Sequence, residues 1–158
     1  MNRFNLIIPV TEYSPDEELG GRYSDLIKAA YSACSASYAP FSGFNVGAAV
    51  LLENGEIIEG GNQENAAYPL GICAERVAMF YANSRYPEIP VTAIAIAASV
   101  SGIPCRKPVY PCGLCRQSLL QCEQRFRKNI RVFMAGSEKI QMVESIKDLL
   151  PLGFEFKI

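Results

Sequence analysis

The sequence contains no histidine. That absence excludes Ser-His-Asp and Cys-His nucleophilic sites, HExxH metallopeptidases and Cys2His2 zinc fingers. Any general acid or base is then Glu, Asp, Lys, Tyr or Cys, and a tight transition-metal site has to lean on the six cysteines. A surplus of positive charge is missing too. Lys and Arg number 15 against 16 Asp and Glu, for a net charge of -1. Holding nucleic-acid phosphates needs a strong positive field, so no nucleic-acid partner is expected. No run of about 20 apolar residues occurs, and no membrane span is predicted. The opening stretch MNRFNLIIPVTEYSPDEE has one Arg and a short apolar patch, too short for a signal peptide, which points to a cytoplasmic location. In that compartment thiols are more often reduced, metal-bound or catalytic than paired as disulfides.

What is present suits one domain. The 158 residues are 49% hydrophobic and 20% charged, enough apolar material for a proper core. Residues 1–22 read as an N-terminal arm ending in the turn-rich SPDEELGG, and residues 23–158 as the folded domain. Apolar positions Leu26, Ile27, Ala30, Tyr31 and Cys34 recur at helical spacing over 23–37. FNVGAAVLL and the segment from Glu56 to Gly60 flank Asn54-Gly55, which predicts a hairpin. A helix is expected from Cys73 to about Ser84, and a strand buried on both faces over 91–100. A second helix follows from Cys112 to about Lys128, then strands over 130–135 and 139–143 and a short final helix over 145–150. The fold class expected is α/β, in three α/β/α layers around a mixed, roughly five-stranded sheet.

Two short motifs carry chemistry. Cys73-Ala74-Glu75 opens one predicted helix, and Pro111-Cys112-Gly113-Leu114-Cys115 opens another. A Cys-x-x-Cys turn brings two sulfurs to one tetrahedral ion, and a third cysteine on a neighbouring helix leaves the fourth position for water. Helix N-termini favour thiolate over thiol. Three thiolates around Zn²⁺ carry one excess negative charge, and Arg76 is placed to offset it. Glu75 is not needed for coordination and is free to move protons between a zinc-bound water and a substrate nitrogen. Such an apparatus performs hydrolytic deamination of an amidine-like carbon.

With these motifs and their flanks, the sequence resembles the small tetrameric cytidine deaminases of the all-cysteine type. The resemblance rests on Tyr38-Ala39-Pro40-Phe41-Ser42, Val46-Gly47-Ala48-Ala49, Gly61-Asn62-Gln63-Glu64-Asn65-Ala66-Ala67-Tyr68-Pro69, Gly71-Ile72-Cys73-Ala74-Glu75-Arg76, Cys112-Gly113-Leu114-Cys115-Arg116-Gln117 and Leu149-Leu150-Pro151 with Phe154. It implies a cytidine-deaminase-like fold and one zinc per subunit on Cys73, Cys112 and Cys115. Zinc-bound hydroxide would convert cytidine and deoxycytidine to uridine and deoxyuridine, with Glu75 as proton shuttle. It further implies Asn62 and Glu64 on the ribose hydroxyls, the Ala74 backbone N–H on the pyrimidine O2, and Phe41 against the base. Phe154 would reach the site of a neighbouring subunit in a homotetramer. The N-terminal arm and the terminal EFKI depart from the family pattern, as does Gln63, where an aliphatic residue is usual.

Other readings accompany this one. The cysteines could form a structural zinc site with Cys105 or Cys122 as a fourth ligand, in a binding protein without turnover. PCGLC alone would suit a thioredoxin-like redox pair, although that leaves Cys73-Ala74-Glu75 unexplained. Within enzymology, the substrate could instead be a modified nucleoside or a free base. Cys34 and Cys122 read as core residues, and Arg125-Phe126-Arg127-Lys128 as a solvated helix end.

Overall fold

A computed structural model describes residues 1–155. The last three residues of the EFKI extension, 156–158, lie outside the described residues. The elements run β1 (Thr11–Tyr13), α1 (Tyr23–Ala33), β2 (Phe44–Leu52), β3 (Ile57–Gly61), α2 (Ala74–Arg85), β4 (Val91–Val100), β5 (Ile103–Pro104), α3 (Gly113–Phe126), β6 (Arg131–Ala135) and β7 (Ile140–Val143). The five longer strands match the expected ones. The short strands β1 and β5 were not anticipated from the sequence, because three- and two-residue segments carry no periodicity to detect. The segment expected to finish α1 is a 3-10 turn over Cys34–Ala36, and the expected final helix is a 3-10 turn over Ile146–Leu149.

The sheet is ordered β1-β7-β6-β4-β2-β3, with β5 paired to β4. Asn54-Gly55 does close a hairpin: β2 and β3 pair antiparallel, and Gly55 takes φ +88° in the left-handed region that favours glycine. Among the strand pairs of the described residues only β4 and β6 are parallel, and α3 supplies the crossover that a parallel pair requires.

Alternation along the strands sorts the core into two layers. Ala48, Val50, Ile94, Ile96, Val132 and Met134 face α2 and α3, where Met79, Leu119 and Leu120 meet them. Ala49, Ala93, Ala95, Ala97 and Phe133 face α1 and its Leu26, Ile27 and Ala30. Helices thus cover both faces, as the unbroken apolar run of β4 predicts.

Glycine sets how closely α2 lies on the sheet. A Cβ on Gly60 would stand 2.5 Å from the Ala78 nitrogen and 2.8 Å from the Ala74 carbonyl oxygen. The first turns of α2 therefore press directly on the β3 backbone. The far end of α3 is held by Glu123, a carboxylate only 3% exposed. It accepts from the Ile130 N–H at 2.8 Å, the Ser145 hydroxyl at 2.7 Å and the Ile146 N–H at 3.1 Å. Replacing it by alanine orphans three buried donors. We expect Glu123→Ala to lose about 3 kcal/mol of unfolding free energy in urea titrations, with Glu123→Gln, which keeps one acceptor, falling between.

Candidate active site

Cys73 and Cys112 occupy equivalent places. Each is the N-cap of its helix in extended backbone, Cys73 at φ -74° and ψ 152° before α2, Cys112 at φ -67° and ψ 167° before α3. Cys115 follows on the first turn of α3 and is fully buried. The three sulfurs all lie within 4.8 Å of one another, with Cys73 to Cys112 at 3.7 Å and Cys112 to Cys115 at 3.5 Å. A tetrahedral zinc with bonds near 2.3 Å sets sulfur–sulfur edges of about 3.8 Å, so the donor set fits that ion. Neither Cys105 nor Cys122 joins the cluster, and Cys122 instead points its thiol at Asn83 Oδ1. The four-thiolate structural site is therefore not assembled among the described residues, and a fourth coordination position is left for water.

Ionisation at this cluster is anticooperative. The hydrogen bond with Cys115 holds the Cys73 thiol down to about 5, with a further contribution from Arg76, whose Nη2 stands 4.0 Å from the sulfur. The same contact with Cys73, together with burial, pushes the Cys115 thiol up. One negative charge forms readily at two helix N-termini, and a second resists forming without a cation. Glu75, two residues after Cys73, is 4% exposed, and its burial followed by the nearby Cys73 charge raises its carboxyl above the usual range. A carboxyl so raised takes up and releases protons closer to neutral pH.

The loop that delivers Cys73 is zipped in place. Gln63 and Ile72 exchange both backbone hydrogen bonds at 2.9 Å, and the Glu64 N–H donates to the Tyr38 carbonyl at 2.8 Å. Asn62 braces the start of β2, its Oδ1 accepting from the Val46 N–H at 2.8 Å and its Nδ2 donating to the Phe44 carbonyl at 3.1 Å. The Glu64 carboxylate accepts from the Ser42 hydroxyl and from the backbone N–H groups of Phe41 and Ser42. Those donors, the Ser42 side chain first, hold its carboxyl below the usual range.

These residues surround a cavity of about 700 Å³. Phe41, Asn62, Glu64, Cys73, Glu75, Arg76 and Cys112 all line it. Ala74 is fully buried and is not among the lining residues, and its N–H is a first-turn donor without a helical acceptor. Phe154 stands apart, exposed on the outer side of α3, where Gln117 grips its backbone through both amide atoms, at 2.9 and 3.2 Å. Sequence reasoning missed Tyr68, Tyr110 and Leu114, which also line the cavity. Tyr68 meets Phe41 edge to face at 6.2 Å. The available signal was proximity in the chain, since Tyr110 lies two residues before Cys112 and Leu114 lies within the Cys-x-x-Cys turn.

The family model for the cytidine and deoxycytidylate deaminase zinc-binding region matches residues 22–130, which span all three sulfur ligands and Glu75. The chain belongs to this family. It is accordingly a zinc-dependent hydrolytic deaminase, with Cys73, Cys112 and Cys115 suited to hold one zinc. Over 130 residues it is 38% identical to a cytidine deaminase from Halalkalibacterium halodurans, covering 82% of this chain and 91% of that one. The crystal structure of a cytidine deaminase from Burkholderia pseudomallei is similar at a TM-score of 0.72 and 34% identity, over 84% of this chain and 98% of that one. A cytidine deaminase from Mycobacterium tuberculosis is similar at a TM-score of 0.67 and 29% identity, over 85% and 98% of the respective chains.

Two outcomes check the metal centre of this deaminase. Elemental analysis should find one zinc per chain, lost in Cys73→Ser, Cys112→Ser and Cys115→Ser but kept in Cys105→Ser and Cys122→Ser. In the metal-stripped protein one thiolate should persist as pH falls from neutral and disappear through about pH 5. The thiolate ultraviolet absorbance reads this, and Cys73→Ser should abolish it.

Proposed function

We propose that the chain hydrolyses cytidine and deoxycytidine to uridine and deoxyuridine, releasing ammonia, in pyrimidine salvage. The observation that carries this reading is a buried carboxylate, Glu75, beside three sulfurs at two helix N-termini, opening on one nucleoside-sized cavity. A zinc held by Cys73, Cys112 and Cys115 would supply a water acidic enough to act as nucleophile near neutral pH. Glu75 carries the protons, first to the pyrimidine N3 and then to the exocyclic amine. Arg76 offsets the excess negative charge of the three thiolates.

The remaining contacts orient the nucleoside. Asn62 and Glu64 meet the sugar hydroxyls, and their bracing by β2 and by the Phe41–Ser42 backbone supports that role by fixing them before substrate arrives. A site built around a hydroxyl discriminates strongly against analogues lacking it. Phe41 packs on the base and the Ala74 N–H meets O2. Among the described residues that line the cavity, Arg76 is the one basic residue, alongside the acidic Glu64 and Glu75. That balance favours a nucleoside over a nucleotide, whose phosphate would find no free cation among the described lining residues.

Residues 23–158 form the catalytic unit, and residues 1–22 are an N-terminal arm that joins the edge of its sheet through β1. Four copies associate, and Phe154, held out from α3 by Gln117, reaches a neighbour's site. The enzyme works in the cytoplasm. No helix among the described residues is long and apolar enough to cross a membrane.

An ultraviolet assay tests the activity. Cytidine and deoxycytidine should be converted, cytidine monophosphate and cytosine poorly or not at all, and a zinc chelator should abolish turnover. Glu75→Ala should keep its zinc and its fold but lose at least about 100-fold in kcat. Comparable activity in that variant overturns the proton-carrying role, and inertness of the unsubstituted zinc-loaded chain overturns the reading itself.

A further inference from the structure

One side chain of the cavity wall is tied to the outermost strand of the sheet. Tyr110 lines the cavity, and its hydroxyl donates to Gln141 Oε1 at 2.7 Å. Gln141 lies on β7, and its Nε2 donates onward to Glu12 Oε2 at 3.0 Å. That carboxylate also accepts from Lys139 Nζ at 2.8 Å. Glu12 is the middle residue of β1 and sits directly opposite Gln141 in the ladder. Ile140 and Met142 on either side of Gln141 face α1, so the alternation of the strand turns Gln141 to the face that carries α3 and the cysteines.

The chemistry of the chain of bonds gives it a direction. An ionised carboxylate only accepts, so Glu12 draws the NH₂ end of the Gln141 amide toward β1. The amide oxygen is thereby presented to Tyr110, which must donate its hydroxyl proton outward. With that proton committed, the phenolic oxygen keeps its lone pairs for a donor on the nucleoside. Without Glu12 the amide is free to turn over and offer Tyr110 a donor instead, which reverses what the phenol can accept.

We propose that Tyr110 contacts and orients the nucleoside, and that β1 sets this contact from outside the site, with Glu12 and Gln141 as positioning residues. The inference rests on the nucleoside-deaminase reading of the cavity. It also gives the N-terminal segment a role in substrate recognition.

Steady-state kinetics with cytidine on the zinc-loaded full chain tests it. Glu12→Ala and Gln141→Ala should raise KM about three- to tenfold, the worth of one hydrogen bond, with kcat held within about twofold. Glu12→Gln keeps an acceptor, which Lys139 orients toward the strand, and should return KM close to that of the unsubstituted enzyme. Tyr110→Phe should also raise KM, and adding Gln141→Ala to it should cost nothing more, because both act through one contact. An unchanged KM in Glu12→Ala and Gln141→Ala, multiplicative losses in the double variant, or no rescue by Glu12→Gln overturns the proposal. The Tyr110 ring resonances in nuclear magnetic resonance spectra, assigned by their loss in Tyr110→Phe, read the positioning independently of turnover. They should move in Glu12→Ala and Gln141→Ala and hold their place in Glu12→Gln; unmoved resonances in all of them overturn the relay even if the chain proves inert toward cytidine. Failure to turn over cytidine with that pattern intact overturns the function and leaves the relay standing.

Discussion

Three sulfurs within 4.8 Å of one another cannot all be anions unless a cation lies among them. The site is organised around that repulsion. Two helix N-termini bring their unpaired N–H groups to the same point, one arginine stands beside the first sulfur, and the third sulfur is sealed from water. These devices favour the first negative charge and leave the rest to a metal. The same crowding acts on Glu75, which is buried next to the Cys73 charge and so holds its proton more tightly than a solvated carboxylate would. Ligand chemistry and proton chemistry are two results of one concentration of negative groups.

The fold serves that concentration by pinning both ends of α3. At its start, Arg116 donates from Nε to the Pro111 carbonyl and from Nη1 to the Leu149 carbonyl, each at 2.8 Å, which anchors the peptide just before Cys112. At its end, Glu123 gathers three donors from the segments that precede β6 and follow β7. Cys115 and Glu123 are about 12 Å apart along the helix axis. A helix fixed at that distance cannot slide along the sheet, so where its two sulfurs stand relative to Cys73 follows from contacts remote from them.

Much of this was legible in the sequence, for reasons that differ by element. Cys73, Cys112 and Cys115 could be grouped because Cys-Ala-Glu and Cys-x-x-Cys each state a local geometry. β4 could be read with its full extent because ten nearly continuous apolar residues suit no other buried element as well. Asn54-Gly55 declared its turn through glycine's conformational freedom. Tyr68, Tyr110 and Leu114 were not legible, because an aromatic or aliphatic residue in a loop has the same signature in a core, on a surface or in a cavity wall. Glu123 escaped for a related reason: on a helix a carboxylate is most often solvated, and only the tertiary arrangement reveals its three donors. β1 was invisible because its pairing with β7 depends on residues almost 130 positions away.

The glycines near the site have one more effect. Gly47 brings the α1 backbone against β2 on one face, and Gly60 brings α2 against β3 on the other, while Gly61 receives the turn after α1. Gly47 and Gly61 are paired partners, and Gly60 is paired with Ala48. At this corner the three layers meet backbone to backbone, whereas elsewhere leucines, isoleucines and a phenylalanine hold them apart. Contacts between backbones have no rotamers to exchange, so the spacing of the layers here has little freedom to shift, and the cysteine that caps α2 is mounted beside it.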